Sequence, residues 1–197
     1  MNTHALMIDT TKTVSCWSIK IKLARVAWGF FSPLFWSCWG RLGSRPRVWA
    51  LRLFGAKIGS PSLVCGGVRV WMPWNLVMGN ACSLGSGVEV YNFARITIGD
   101  QTTISQYSYL CSGTHDYTLP HMPLIMFPIT IGKGVWVCAR SFIGPKVRIG
   151  DMTVIGACSV VTKDMPSWTV CAGNPCQPIK PRIMQRLTAP SSRMTAL

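Results

Sequence analysis

Side chains able to take up a proton near neutral pH are few in this chain: His4, His115 and His121. Imidazole as a group titrates near neutrality, which suits it to general-base work on a hydroxyl. A lone histidine is more often structural than catalytic, so its setting has to carry the argument. His4 stands in an aperiodic leader. His115 stands in Gly113-Thr114-His115-Asp116-Tyr117, at the root of a connection stiffened by Pro120, Pro123 and Pro128, with His121 further along it. A long connection on a compact scaffold is usually functional. Asp116 is the candidate to orient the imidazole. Adjacent residues often point apart, however, and a backbone carbonyl would do the same work.

The scaffold that must hold His115 is written with a period of six. Between Ile129 and Lys163 a branched aliphatic recurs at Ile131, Val137, Ile143, Ile149, Ile155 and Val161. A helix needs apolar spacing of about 3.6 and a half-buried strand about 2, whereas six marks short β segments joined by tight corners. A small residue follows each aliphatic (Gly132, Cys138, Gly144, Gly150, Gly156, Thr162), where backbone must pass a corner. A compact one stands four places on (Val135, Ser141, Val147, Thr153, Ser159). The same phase runs through Ile58, Val64 and Val70, then Met78, Leu84 and Val90, then Ile98, Ile104 and Leu110. Three sides close one turn of a triangular prism, and two-residue slips at Leu76-Val77 and Ile96-Thr97 are absorbed at a corner. The expected fold class is all-β, a parallel β-helix with the aliphatics inside.

A chain of 197 residues that is 49% hydrophobic is long enough for one domain with a core. Its formal net charge of +14 calls for a polyanionic neighbour: nucleic acid, an anionic membrane or a phosphorylated ligand. No nucleic-acid-binding motif is present, and the cations concentrate before Ile58 and after Lys163, so no nucleic-acid partner is expected. The cysteine count, 9, is odd, and Cys65, Cys82, Cys111 and Cys138 occupy hexad slots that want a small side chain. They read as core filler in a reducing cytoplasm, not as a disulfide framework.

Residues 1–13 read as a flexible leader and 14–56 as an aromatic, basic cap. In the cap Trp17, Trp28, Phe30, Phe31, Phe35, Trp36 and Trp39 are flanked by Lys20, Lys22 and Arg25 and then by Arg41, Arg45 and Arg47. The uncharged run from Val26 to Gly40 is shorter than the ~20 residues of a spanning helix, and Pro33 interrupts it. These aromatics either cover the open end of the solenoid or sit in the headgroup layer of an anionic membrane, peripheral to its inner face. Arg47 to Phe54, stopped by Gly55, reads as a short amphipathic helix. The coils are expected over 57–175 with a loop excursion at 115–128. A basic tail follows at 176–197, with a short helix over 182–187 and disorder from 188 on.

Taken together, Gly113 to Tyr117, the proline-broken connection, Pro128-Ile129-Thr130-Ile131-Gly132-Lys133-Gly134-Val135-Trp136, Val154 to Asp164 and Ala172-Gly173-Asn174-Pro175 resemble the hexapeptide-repeat acyltransferases in residue type, order and spacing. The resemblance is strongest to the O-acetyltransferases of colanic acid and related exopolysaccharide biosynthesis, including the lead-in from Arg52 to Gly59 and the Trp-rich N-terminus. It implies a left-handed β-helix, a homotrimer with its cleft between copies, and direct acetyl transfer from acetyl-CoA to a sugar or lipid-linked saccharide, with His115 as base. It also implies Asn92 near the acetyl group and acceptor, where the bland alternative is a corner residue. Trp136 would lie against the pantetheine arm, with Ala139 and Ala157 where backbone approaches that arm. Thr162 and Lys163 would stand near the nucleotide end of CoA, and Lys180 at a further basic position. The sequence departs from more distant sugar acetyltransferases at Gln177, where those carry an arginine.

Other readings compete. A γ-class carbonic anhydrase shares the prism but needs three zinc-binding histidines on its coils, and His4 lies outside the repeat, so no metal is expected. A xenobiotic acetyltransferase would share the prism, the histidine and the CoA cleft. A membrane-bound β-helical scaffold would explain the basic aromatic N-terminus without using His115.

Overall fold

Each hexad becomes a strand of two or three residues and a corner, because alternation buries one side chain per prism side and leaves its neighbour outside. The computed structural model describes Ile8, Thr11 and residues 17–36 and 43–185, without the side chains of 34–36. The first coil is β1 (Lys57–Ile58), β2 (Leu63–Val64) and β3 (Arg69–Val70); the second is β4 (Leu76–Met78), β5 (Ser83–Leu84) and β6 (Glu89–Tyr91). The third is β7 (Ile96–Ile98), β8 (Thr103–Ile104) and β9 (Tyr109–Cys111), and the chain then leaves the prism as β10 (Gly113–His115) and β11 (Leu124–Met126). It returns through β12 (Ile129–Ile131), β13 (Trp136–Val137) and β14 (Phe142–Ile143), then β15 (Arg148–Ile149), β16 (Val154–Ile155) and β17 (Val160–Val161). A last hairpin, β18 (Thr169–Gly173) and β19 (Cys176–Pro181), closes the far end.

Equivalent strands pair in parallel to make three faces: β1-β4-β7-β12-β15, then β2-β5-β8-β13-β16-β18, then β3-β6-β9-β14-β17. Registers place Ile58, Met78, Ile98, Ile131 and Ile149 in one inward column. Val64, Leu84, Ile104, Val137, Ile155 and Cys171 form the second. Val70, Val90, Leu110, Ile143 and Val161 form the third. None of these side chains is more than 8% exposed. Each such burial contributes about 1.5–3 kcal/mol before entropy is counted, so the columns are the core. The corners are tight: a Cβ on Gly132 would lie 2.7 Å from the backbone nitrogen of Asp151 on the next coil.

The slips lie elsewhere than expected. Leu76-Val77 and Ile96-Thr97 are paired strand residues, with Leu76 and Ile96 fully buried. The extra length is taken up one corner earlier, between the third and first faces, by the 3-10 turn Pro73–Asn75 and by Asn92 to Arg95. Side chains hold this corner together. Asn92 Oδ1 accepts from the Met72 N–H at 2.9 Å, and its Nδ2 donates to the Met72 carbonyl at 2.6 Å. Asn75 Nδ2 donates to the Phe93 carbonyl at 2.9 Å. The excursion leaves the prism at the same corner, one coil on.

The N-terminal cap is two helices, α1 (Ile19–Trp36) and α2 (Ser44–Leu53). α1 continues through Pro33, which therefore does not interrupt it, and α2 starts three residues before the expected Arg47. In the first coil the carbonyls of Ile58, Val64 and Val70 have no coil beyond them to donate, and each is met by a cap side chain. Arg52 Nη2 donates to Ile58 O at 2.6 Å, Arg47 Nη1 to Val64 O at 3.2 Å, and Trp28 Nε1 to Val70 O at 2.7 Å. Ser44 Oγ accepts from the Val64 N–H at 2.8 Å. Arg47 is fully buried. Among the described residues no helix is long and apolar enough to cross a membrane.

At the other end the expected tail begins as a strand. β19 pairs antiparallel with β18 around the turn at Asn174-Pro175, and residues 182–185 form no helix. Arg182 Nη1 instead donates to the carbonyls of Gly134 and Met152 at 2.8 and 3.0 Å, fastening the end of the hairpin to two coils. The expected leader lies outside the described residues apart from Ile8 and Thr11, and so do Trp39 and the region from 188 on.

Candidate active site

His115 ends β10, whose register with β11 pairs Gly113 with Met126, Thr114 with Ile125 and His115 with Leu124. The excursion at 115–128 is therefore a hairpin with a short loop, and its first strand starts at Gly113. The loop is set by Asp116, whose Oδ1 accepts from the Thr118 N–H at 3.0 Å and from the Thr118 hydroxyl, an Asx turn. Asp116 N–H donates to Pro123 O at 3.0 Å and Met122 N–H to Leu119 O at 3.0 Å, so Met122 is carried back over the histidine. His115 Nδ1 lies 2.7 Å from the Met122 carbonyl. A carbonyl only accepts, so Nδ1 carries a proton and, in the neutral ring, Nε2 holds the lone pair. The side chain is exposed. It is Met122, not Asp116, that bonds the His115 ring, and a backbone group seven residues on leaves no side-chain signature in sequence.

The Thr118 hydroxyl and N–H, and then the charge of His121, hold the Asp116 carboxyl below its usual range. Below the hairpin, Gly113 packs where a Cβ would lie 3.1 Å from Tyr91 Cε1 and 3.4 Å from Phe93 Cδ2. Tyr91 and Phe93 pack with centroids 4.1 Å apart and their planes tilted by 41°, so an aromatic floor supports the strand that carries His115.

The remaining site residues are spread over the prism. Asn92 is fully buried, with both ends of its amide on the Met72 backbone, so in this chain it locks the corner and does not reach solvent. Trp136 projects from the second face, 48% exposed, its indole N–H donating to Ser105 Oγ at 3.0 Å. Ala139 and Ala157 stack at the corner between second and third faces, where Cys158 N–H donates to Ala139 O at 2.9 Å. Thr162 and Lys163 are exposed at the corner between third and first faces and line a groove of about 480 Å³ with Lys146, Arg148, Pro128 and Asp164. Asp164 Oδ1 accepts from the Arg148 N–H at 2.7 Å. The groove thus offers three cationic side chains to an anion such as a phosphate. Lys180 is exposed on β19, opposite Val170. One chain therefore groups His115, Thr162 and Lys163 along one corner and puts Trp136, Ala139, Ala157 and Lys180 on other sides. Among the described residues no group of His, Cys, Asp or Glu could hold a metal ion.

A prism of stacked hexads with a hairpin excursion that carries His115 and His121 is the architecture to be compared with known proteins. Residues 128–163 match the bacterial transferase hexapeptide (six repeats) family. A protein of Escherichia coli K12 named as a colanic acid biosynthesis acetyltransferase, WcaF, is 43% identical over 139 residues, 71% of this chain and 76% of that one. A galactoside acetyltransferase solved with coenzyme A is 26% identical, with a TM-score of 0.73 and 86% of each chain covered. A hexapeptide-repeat acetyltransferase of Vibrio cholerae, solved with acetyl-coenzyme A, has a TM-score of 0.79 at 22% identity, covering 86% of this chain and 93% of that one, and shares the fold. The chain belongs to the hexapeptide-repeat acetyltransferases, left-handed parallel β-helices, in the group of the colanic acid biosynthesis enzymes.

Proposed function

We propose that the protein is an acetyl-CoA-dependent O-acetyltransferase acting on a sugar hydroxyl, free or lipid-linked, in exopolysaccharide assembly. The observation that carries this reading is the His115–Met122 hydrogen bond, which leaves Nε2 as an outward-facing proton acceptor. Acetyl-CoA, when bound, supplies a thioester activated toward oxygen nucleophiles. The residues present suit it: Lys163, Lys146 and Arg148 surround a groove of phosphate-binding character, and the half-exposed Trp136 offers an apolar plate for an extended arm. Nε2 takes the acceptor hydroxyl proton as the oxygen attacks, and the imidazolium then has a proton to return to the departing sulfur. Such base assistance is worth ~10²–10⁴ in rate.

Because the site residues sit on different sides of one prism, the reading places the working cleft between copies in a homotrimer. His115 and Lys163 of one protomer would then face Trp136 and Ala139 of the next. The test is a screen of saccharide acceptors read by CoA release, run beside thermal stabilisation by acetyl-CoA. Stabilisation with acceptor-dependent CoA release supports the proposal, and absence of both points to a non-catalytic scaffold. Turnover on antibiotic hydroxyls with none on saccharides would reassign the acceptor.

A further inference from the structure

α1 turns to solvent a side that the prism does not use. At about 100° per residue, Ile19, Leu23, Val26 and Phe30 fall within an arc of about 60°. They are 75%, 66%, 71% and 74% exposed. The opposite side carries Trp28, 3% exposed and bonded to Val70 O, which fixes the helix on the first coil and so aims the stripe outward. A second feature lies on the flank of the same helix. A cavity of about 520 Å³ is floored by Trp28, Val70 and Trp71 and rimmed by Lys22, Arg25 and Arg69. Val26 belongs both to the stripe and to this cavity. The Arg25 guanidinium lies 5.4 Å from the Phe93 ring and 5.7 Å from Trp17, which holds it at the rim. The nearby acid is Glu89, whose Oε1 accepts from Trp71 Nε1 at 2.9 Å. A third observation is in the chain itself: no Asp or Glu occurs between Asp9 and Glu89, so the cap carries cations alone.

We infer that this end of the prism docks on an anionic phospholipid bilayer, with α1 lying in the interface plane and a lipid phosphate seated among Lys22, Arg25 and Arg69. An outward apolar stripe flanked by cations is the pattern of a helix that lies on a membrane without crossing it. Among the described residues no helix, α1 included, is long and apolar enough to cross. A second copy of this chain fits the face poorly, since it would bring the same uncompensated cations together. The docking does not depend on acetyl transfer, so it stands or falls separately from the proposed function.

The full chain should co-sediment with phosphatidylcholine vesicles containing phosphatidylglycerol, at least about tenfold more tightly than with phosphatidylcholine alone, and salt should weaken the binding. Leu23→Ser with Phe30→Ser should lower affinity for the anionic vesicles by at least about tenfold, with helical content, oligomeric mass and acetyl transfer to a water-soluble acceptor unchanged. Lys22→Glu with Arg69→Glu should abolish the preference for phosphatidylglycerol and leave the weaker apolar partitioning. Equal binding to both vesicle types at low salt would overturn the inference, as would wild-type binding by the serine variant. A change of oligomeric mass in the serine variant would assign the stripe to a second copy of the chain and overturn it too.

Discussion

Met122 decides which nitrogen of His115 faces outward: its carbonyl oxygen lies 2.7 Å from Nδ1, seven residues along the chain. The bond fixes tautomer and ring direction together. The hairpin register and the Asp116–Thr118 turn fix Met122 in their turn.

His115→Ala should lower kcat by ~10²–10⁴ with the KM for acetyl-CoA nearly unchanged, because a general base acts on the acceptor. His121→Ala should be mild. Steady-state kinetics with a verified saccharide acceptor decide the matter, and near wild-type turnover by His115→Ala would refute the mechanism.

Asp116 is a positioning residue, and its removal should act through the loop. Asp116→Ala should lower kcat several-fold without raising the KM for acetyl-CoA, and Asp116→Asn, which can still accept from Thr118, should restore it. The folded carboxyl sits below its usual range, so its support of the turn is complete above the unfolded value and is lost as pH falls through the folded one. Amide exchange at Thr118 should therefore quicken in acid only below the ordinary carboxylate range.

Arg47→Met should destabilise the protein by about 1–3 kcal/mol in urea unfolding, since it leaves the buried Val64 carbonyl without its donor. Arg52→Met, at a partly solvated carbonyl, should cost less. Equal and negligible losses for both would mean that water serves the coil end as well as the side chains do.

If the cleft lies between copies, inactive subunits should complement one another. His115→Ala and Trp136→Ala chains, unfolded and reassembled together, should recover a fraction of wild-type acetyl transfer that neither shows alone. Sedimentation should report trimers. Recovery no greater than the sum of the separate variants would place the whole site within one chain.

The interior was legible because the aliphatics fill equivalent positions: the run Ile131, Val137, Ile143, Ile149 and Ile155 visits the three inward columns in turn, a direct transcription of the six-residue period. The slips were misplaced because Leu76 and Ile96 are apolar and strand-like, so the periodicity absorbs them, while the residues that bulge are held by the amides of Asn75 and Asn92, which carry no period. The last inward residues, Met165 and Cys171, escape the pattern because neither is a branched aliphatic. The candidate base, His115, could be picked out from its place at the root of a proline-stiffened connection. Its orienting group could not, because a backbone carbonyl has no residue type. The donor roles of Arg47 and Arg52 were hidden for a related reason: a cation in a basic segment looks solvated until the unpaired carbonyl it meets is known.

Those donors also set how long the object is. A repeat whose every coil offers the next one a matching edge contains no instruction to stop, and two such prisms meeting end to end would extend into a filament. Arg52, Arg47 and Trp28 occupy the three carbonyls where that growth would begin. The terminal helices therefore seal one end of the repeat, and the β18–β19 hairpin fastened by Arg182 covers the other, so neither end presents a bare coil to a second prism.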